Sequence, residues 1–144
     1  MKKILQSLLG IGAFIGIVYA TGAYTYFQEN TVSEDLPDVV MELGSQIPEE
    51  TEPQIIKEGQ FVDADILHTG EGTAKLIAYP NGSHILRFED FSVVNGPDVY
   101  VYLSRSATPT GDIDSLADYI DLGLLKGNIG NQNYELPPGA EDYQ

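Results

Sequence analysis

Side chains that could perform chemistry are few in this chain of 144 residues. No cysteine is present, so the sequence offers no thiol nucleophile, no thiolate metal ligand and no disulfide. The two histidines, His68 and His84, could ligate haem or copper, but no dense cluster of further ligands accompanies them. We therefore interpret both as surface residues and predict no metal site.

The acidic residues do not form a recognisable catalytic pattern either. Glu89 and Asp90 are adjacent, so a strand would direct their side chains to opposite faces, where they could not act as an acid–base pair. The motifs G-x-S-x-G and H-E-x-x-H and a phosphate-binding loop are missing. Asp112, Asp114 and Asp118 lack the spacing of a calcium loop. The sequence predicts no catalytic residues and a protein that is not an enzyme.

Charge and aromatic residues indicate the kind of partner instead. The chain has 7 Lys+Arg against 22 Asp+Glu, a formal net charge of −15, which would repel nucleic acids. Four tyrosines of the strand-rich region could form an exposed aromatic face for contacts with a surface protein or a polysaccharide: Tyr79, Tyr100, Tyr102 and Tyr134. The alternative is that some of them only pack against a second sheet.

Residues 1–27 have the pattern of a membrane-targeting segment. Lys2 and Lys3 precede an uncharged, mainly apolar run from Ile4 to Phe27, which is long enough for a spanning helix. We expect a transmembrane anchor that places the rest of the chain outside the cytoplasm. A signal peptide cleaved after Ala20 or Ala23, which would release the domain, is the alternative.

Residues 28–58 are rich in acids and prolines, so we predict a linker or stalk between the membrane and a domain at residues 59–144. In that domain, Asn81-Gly82 separates two alternating apolar runs, as in a β-hairpin. Leu86 and Phe88 share one face of the second run, and "VYVYLS" alternates in the same way. We predict an all-β fold, an antiparallel β-sandwich, preceded by one N-terminal hydrophobic helix. Between its strands, Asp114 or Ser115 could cap one helical turn that continues to Tyr119 and ends near Gly123.

The stretch "LLKGNIGNQNYELPPG", residues 124–139, combines turn-forming residues with a short extended run. Its glycines permit backbone conformations closed to other residues, and its asparagines can bond locally to the backbone. It predicts a tight, self-bonded corner between strands.

Several motifs together resemble the DM-thirteen domain family, the predicted electron-transfer domain of Skeletor-type cell-surface proteins. They are G-x-F at Gly59–Phe61, "GTAKL" at Gly72–Leu76, "LRFEDFSVVNGPDVYVYLS" at Leu86–Ser104 and "LGLLKGNIGNQNYELP" at Leu122–Pro137. The family motif residues, structural or ligand-facing in role, are Asn95, Gly96, Pro97, Asp98, Lys126, Gly127, Asn128, Gly130, Asn131, Gln132, Tyr134 and Pro137. The resemblance implies a compact β-sandwich with a redox role, for which a single cysteine or a prosthetic group such as haem is expected in the family.

This sequence departs from the family after Tyr143, where family members continue into two further apolar runs, the first of which carries the cysteine. Since the sequence ends at Gln144, we expect an incomplete domain: a fragment, a domain that tolerates the loss, or one that receives a strand from another chain. The predicted function is a membrane-anchored extracytoplasmic module for electron transfer that lacks the redox cysteine and acts with a redox protein partner. The alternative is a cell-surface binding module for protein or polysaccharide.

Overall fold

A computed structural model describes residues 28–38, 52–110 and 113–143. The predicted hydrophobic segment, residues 1–27, lies outside these ranges, as do residues 39–51 of the predicted linker. Within the ranges described, no helix combines the length and the apolar character needed to cross a bilayer. The membrane segment therefore stays a prediction.

The described residues fold into two sheets. The strands are β1 (Thr31–Ser33), β2 (Gln54–Gln60), β3 (Gly70–Ala78), β4 (His84–Val93), β5 (Tyr100–Ser104), β6 (Tyr119–Leu124) and β7 (Ile129–Leu136). The larger sheet has the order β1-β7-β4-β3-β2, and β5 pairs with β6 in a separate two-stranded sheet. The all-β prediction is confirmed. The sheet is mixed rather than purely antiparallel, because β1 runs parallel to β7.

The hairpin of β3 and β4 follows from its sequence. The Tyr79 N–H donates to the Ser83 carbonyl at 2.8 Å, and Gly82 takes a φ of +84° in the turn between them. Along β4, Leu86 and Phe88 face one side of the sheet, and Ile85 joins a small apolar cluster on the other side. The alternation predicted for this run is therefore present.

A bulge in β4 brings a further aromatic ring into the core. The register between β4 and β7 shifts between Phe88 and Phe91, and Asp90 adopts a φ of +48° at this point. The extra residue returns Phe91 to the same face as Phe88, which strict alternation would not do. One core cluster then forms from Leu86, Phe88, Phe91, Val101 and Tyr134. Because Val101 belongs to β5, this cluster joins the two sheets.

Two segments differ from the sequence interpretation. β1 and most of β2 lie within residues 28–58, so both ends of the predicted linker are strands of the larger sheet. The expected helical turn is a 3₁₀ helix at Ile113–Leu116, and Tyr119 already begins β6. Gly123 has a φ of +89° inside β6 and does not end a helix, so that prediction was wrong.

Candidate functional site

The corner before β7 is organised around the side chain of Gln132, which is fully buried at 0 % exposure. Its Nε2 donates to the Gly127 carbonyl at 2.6 Å, and its Oε1 accepts from the Gly127 N–H at 3.3 Å. The Tyr134 hydroxyl donates to the same Oε1 at 2.8 Å and accepts from the Lys126 N–H at 3.1 Å. One amide side chain therefore satisfies the backbone of the corner and orients a core tyrosine.

Asparagines of the motif bond across the fold rather than locally. Asn128 accepts from the Asn30 N–H at 2.7 Å through Oδ1 and donates to the Val93 carbonyl at 3.1 Å through Nδ2. The Asn131 Oδ1 accepts from the Asp90 N–H in the β4 bulge at 3.0 Å. The expectation of local bonds was wrong for these contacts, because the corner lies between β1 and β4 and its amides reach both.

The glycines of the corner make room for β1. A Cβ atom on Gly127 would lie 2.4 Å from the Asn30 carbonyl oxygen, and one on Gly130 would lie 2.0 Å from that of Val32. Gly130 also has a φ of +103°, whereas Gly127 shows no left-handed φ. The requirement at Gly127 is thus close approach of another strand, rather than the special backbone angle that its position in a turn suggested.

Other motif residues also hold the segment that begins at Gln28. Asn95 Nδ2 donates to the Gln28 carbonyl at 3.1 Å, and the Asn95 Oδ1 accepts from the Gly96 N–H. Pro97 and Asp98 form an exposed turn in which Asp98 has a φ of +54°. Pro137 follows the end of β7 and is exposed. The structure thus employs most of the predicted site residues to build the sheet around β1.

A charged network covers the outer face of the sheet. Lys126 Nζ donates to both carboxylate oxygens of Glu34, at 2.8 and 3.0 Å. Burial raises the pKa of Glu34. The hydrogen bonds from Lys126 and from the Asn133 N–H lower this pKa, and together with the nearby positive charges they outweigh the effect of burial, so the net shift is downward. On β4, the hydrogen bond from Lys75 and then that from Arg87 hold the pKa of Glu89 below its ordinary value of 4.5.

The Glu89 network predicts a pH-dependent contribution to stability. A carboxylate whose pKa is lower in the folded state stabilises the fold above its unfolded pKa, and this contribution is lost as the pH falls through the folded value. We expect Glu89→Gln to lower the free energy of unfolding by roughly 1 kcal/mol at neutral pH. The difference from the unchanged protein should shrink below about pH 4.5 in urea titrations. A difference that stays constant down to about pH 2 would contradict this assignment.

Three tyrosines form a ladder on the outer face of the two-stranded sheet. The rings of Tyr100 and Tyr102 are nearly parallel, with centroids 6.1 Å apart, and Tyr119 meets Tyr102 edge-on at 5.2 Å. Tyr100 is 45 % exposed and Tyr119 is 40 % exposed. Asp121 lies opposite Tyr102 in the strand register. Loss of water contact and, second, the negative charge of Asp121 raise the pKa of Tyr102.

The tyrosine ladder corrects the predicted aromatic face. Tyr79 and Tyr134 are buried in core clusters, so they cannot belong to an exposed surface with Tyr100 and Tyr102. Tyr119 takes their place, although the sequence interpretation assigned it to a helical turn. Alternation in "DYIDLG" was the signal that would have found it, since it predicts a strand with Tyr119 and Asp121 on one face.

An apolar cavity of about 610 Å³ lies between the two sheets. Its walls include β5 from Val99 to Leu103, Ala74 of β3 and the cluster of Phe61, Phe88 and Phe91, whose ring centroids lie 4.7 to 4.9 Å apart. The lining contains no lysine, arginine or carboxylate. Such a space is suited to apolar groups and does not stabilise a charged one.

The two histidines do not lie at one site, so they could not bind the same haem as a pair of ligands. His68 lines the apolar cavity, and its Nδ1 lies 2.7 Å from Asp65 Oδ2. His84 borders a different depression beside Tyr79 and Leu136. Across the residues that the structure describes, no group of three or more histidines and carboxylates could hold a metal ion. The described donor set therefore does not fit that haem arrangement.

Comparison with known protein families identified a match. The profile of the family described as electron transfer DM13 matches residues 60–142, which is more than half of the chain. This match confirms the family resemblance inferred from the motifs. No curated protein and no solved structure matched the chain.

Proposed function

Because the chain belongs to the electron transfer DM13 family, we propose that it is a membrane-anchored extracytoplasmic module that presents the tyrosine ladder to a basic redox protein. Family membership associates the chain with electron transfer in general terms. The anchor and the location rest on Lys2, Lys3 and the apolar run that follows them. The role is accessory: the module holds a redox partner at the cell surface and performs no catalysis itself.

The observation that carries this proposal is the exposed contact among Tyr100, Tyr102 and Tyr119 beside the carboxylate of Asp121. Aromatic side chains contribute much of the binding energy at protein interfaces, and electron-transfer encounters use small interfaces. The net charge of −15 would steer a positively charged protein toward this chain. A neutral or acidic partner would gain nothing from that charge.

Docking can be measured with oxidised cytochrome c as a basic redox probe and the full-length chain in lipid nanodiscs. We expect a Kd of about 10 μM at low salt that weakens about tenfold when the ionic strength reaches about 0.2 M. Tyr119→Ala should weaken binding about tenfold, because it removes one exposed ring of the ladder. Ile55→Ala, which shortens an exposed side chain on β2, is the matched control and should change the Kd less than about twofold. Equal effects of the two substitutions would overturn the proposed docking surface.

One observation favours a second function, the binding of a polysaccharide. The nearly parallel rings of Tyr100 and Tyr102, 6.1 Å apart, offer two flat faces on which sugar rings could stack. In this case cellohexaose, used as a neutral probe, would bind with an affinity that salt does not change, and Tyr100→Ala would abolish binding. Binding of cytochrome c alone would reject this alternative.

A further inference from the structure

The strand β5 has a second accessible side, distinct from the face that carries the tyrosine ladder. It pairs with β6, and no other strand of the described ranges lies beside it in its sheet. Just beyond the two ends of β5, the odd-numbered residues Val99 and Arg105 continue the pairing with the β6 side: the Leu125 N–H donates to the Val99 carbonyl, and the Arg105 N–H donates to the Asp118 carbonyl.

The direction of these bonds identifies the backbone groups at the free edge. In an antiparallel pair, alternate residues direct their N–H and C=O groups away from the partner strand. In β5 these residues are Tyr100, Tyr102 and Ser104. Their backbone N–H and C=O groups therefore point toward the edge of β5 where no strand is paired. An unpaired edge of this kind is a template for an added strand.

The apolar cavity lies beside this edge and follows β5 from Val99 to Leu103. A strand added there would direct every second side chain toward Ala74, Leu86 and Phe88, which line the cavity. Its intervening side chains would face solvent on the side of the two-stranded sheet that bears the tyrosines. The free edge of β5 thus lies beside an apolar cavity. An extended segment with alternating apolar residues could pair with the backbone of β5 and place its apolar side chains in the cavity.

We propose that an extended segment of a second, basic polypeptide adds to β5 as a strand and fills the cavity with its alternate apolar side chains. Charge argues for a basic partner. Asp63, Asp65 and Asp98 are exposed and adjacent in sequence to residues that line the cavity. A second copy of this chain would bring another net charge of −15 to the same edge, which opposes pairing between copies.

The probe for this site is a synthetic peptide of about seven residues, long enough to span the 5 residues of β5. Isoleucine or valine alternates with threonine in it, and lysines stand at both ends. We expect it to bind the full-length chain in nanodiscs in fluorescence anisotropy measurements. N-methylation of the residues that pair with β5 should weaken binding about tenfold or more, because each methyl group removes a backbone donor. Shuffling the same residues so that the apolar ones no longer alternate should have a similar effect.

Two substitutions in β3 provide a matched pair. Ala74 lines the cavity, whereas Ala78 lies two repeats of the pleat further along the same strand, at its end, and does not line the cavity. Ala74→Phe should fill the cavity and weaken peptide binding about tenfold, while Ala78→Phe should change it less than about twofold. Tyr119→Ala should leave peptide binding unchanged, which separates this site from the proposed docking of a redox protein.

Several results would overturn the proposal. Equal binding of the N-methylated peptide would mean that the cavity takes apolar groups without strand pairing. Equal effects of Ala74→Phe and Ala78→Phe would place the peptide elsewhere. Self-association of the chain that prevents the peptide from binding would mean that a second copy occupies the edge.

Discussion

Replacing Gly130 with alanine is expected to displace β1 from β7 and to lower the free energy of unfolding by roughly 3 kcal/mol or more. The new Cβ would lie 2.0 Å from the Val32 carbonyl oxygen and 3.1 Å from its carbonyl carbon. These are backbone atoms of the paired strand, so the clash cannot be relieved by rotation of a side chain. The φ of +103° at Gly130 adds backbone strain to the steric conflict.

Gly82→Ala is the matched control for this prediction. Gly82 has a φ of +84°, but a Cβ there would meet no atom within 4 Å. Alanine at this turn should therefore lower the free energy of unfolding by only about 1–2 kcal/mol, because the left-handed backbone conformation is strained for alanine but no atom clashes with its Cβ. Urea denaturation of both variants in detergent micelles measures the difference. If both variants lose the same stability, contact with β1 contributes nothing at Gly130.

The second large effect is expected from Gln132→Leu, which keeps the approximate size of the side chain but removes all its hydrogen bonds. The N–H and carbonyl of Gly127 would lose their partners in a buried corner. Buried polar groups without partners are costly, so we expect the free energy of unfolding to fall by about 2–4 kcal/mol. Denaturant titration monitored by tyrosine fluorescence provides the measurement.

The chain offers the same substitution at an exposed site as a control. Gln60 lies in β2, is exposed and bonds to Thr73 Oγ1 at 3.0 Å. Gln60→Leu should change stability by no more than about 0.5 kcal/mol. Tyr134→Phe combined with Gln132→Leu should be less than additive by about 1 kcal/mol, because the two side chains share a hydrogen bond. Full additivity would show that the buried network does not act as a unit.

Local sequence patterns predicted those strands whose formation depends on residues close to each other in the sequence. Asn81-Gly82 marks the turn between β3 and β4, and the alternation of Leu86 and Phe88 marks the buried face of β4. Turn preference and a period of two act over a few residues, so a single sequence reveals them. The resemblance to the family followed from the same stretches, and the profile match confirmed the family.

The remaining features depend on contacts between residues that are distant in sequence. β1 is only three residues long, and its position is determined by Gly127 and Gly130, which leave room for it. Nothing within the acidic segment around Thr31–Ser33 indicates this pairing. The candidate site shows the same limit, because the tyrosine ladder needs β6 beside β5 before Tyr119 can reach Tyr102.

The parallel pairing of β1 with β7 joins two strands that are far apart in the chain. Asn30 and Asn128, which bond to each other, are 98 positions apart, so β1 is synthesised long before its partner exists. Closing so long a loop costs chain entropy before any hydrogen bond of β1 can repay it. The β3–β4 hairpin can form as soon as both strands have left the ribosome, whereas β1 must wait for the whole central part of the chain. We therefore expect attachment of β1 to be the last and slowest step of folding, completed only after synthesis has passed β7.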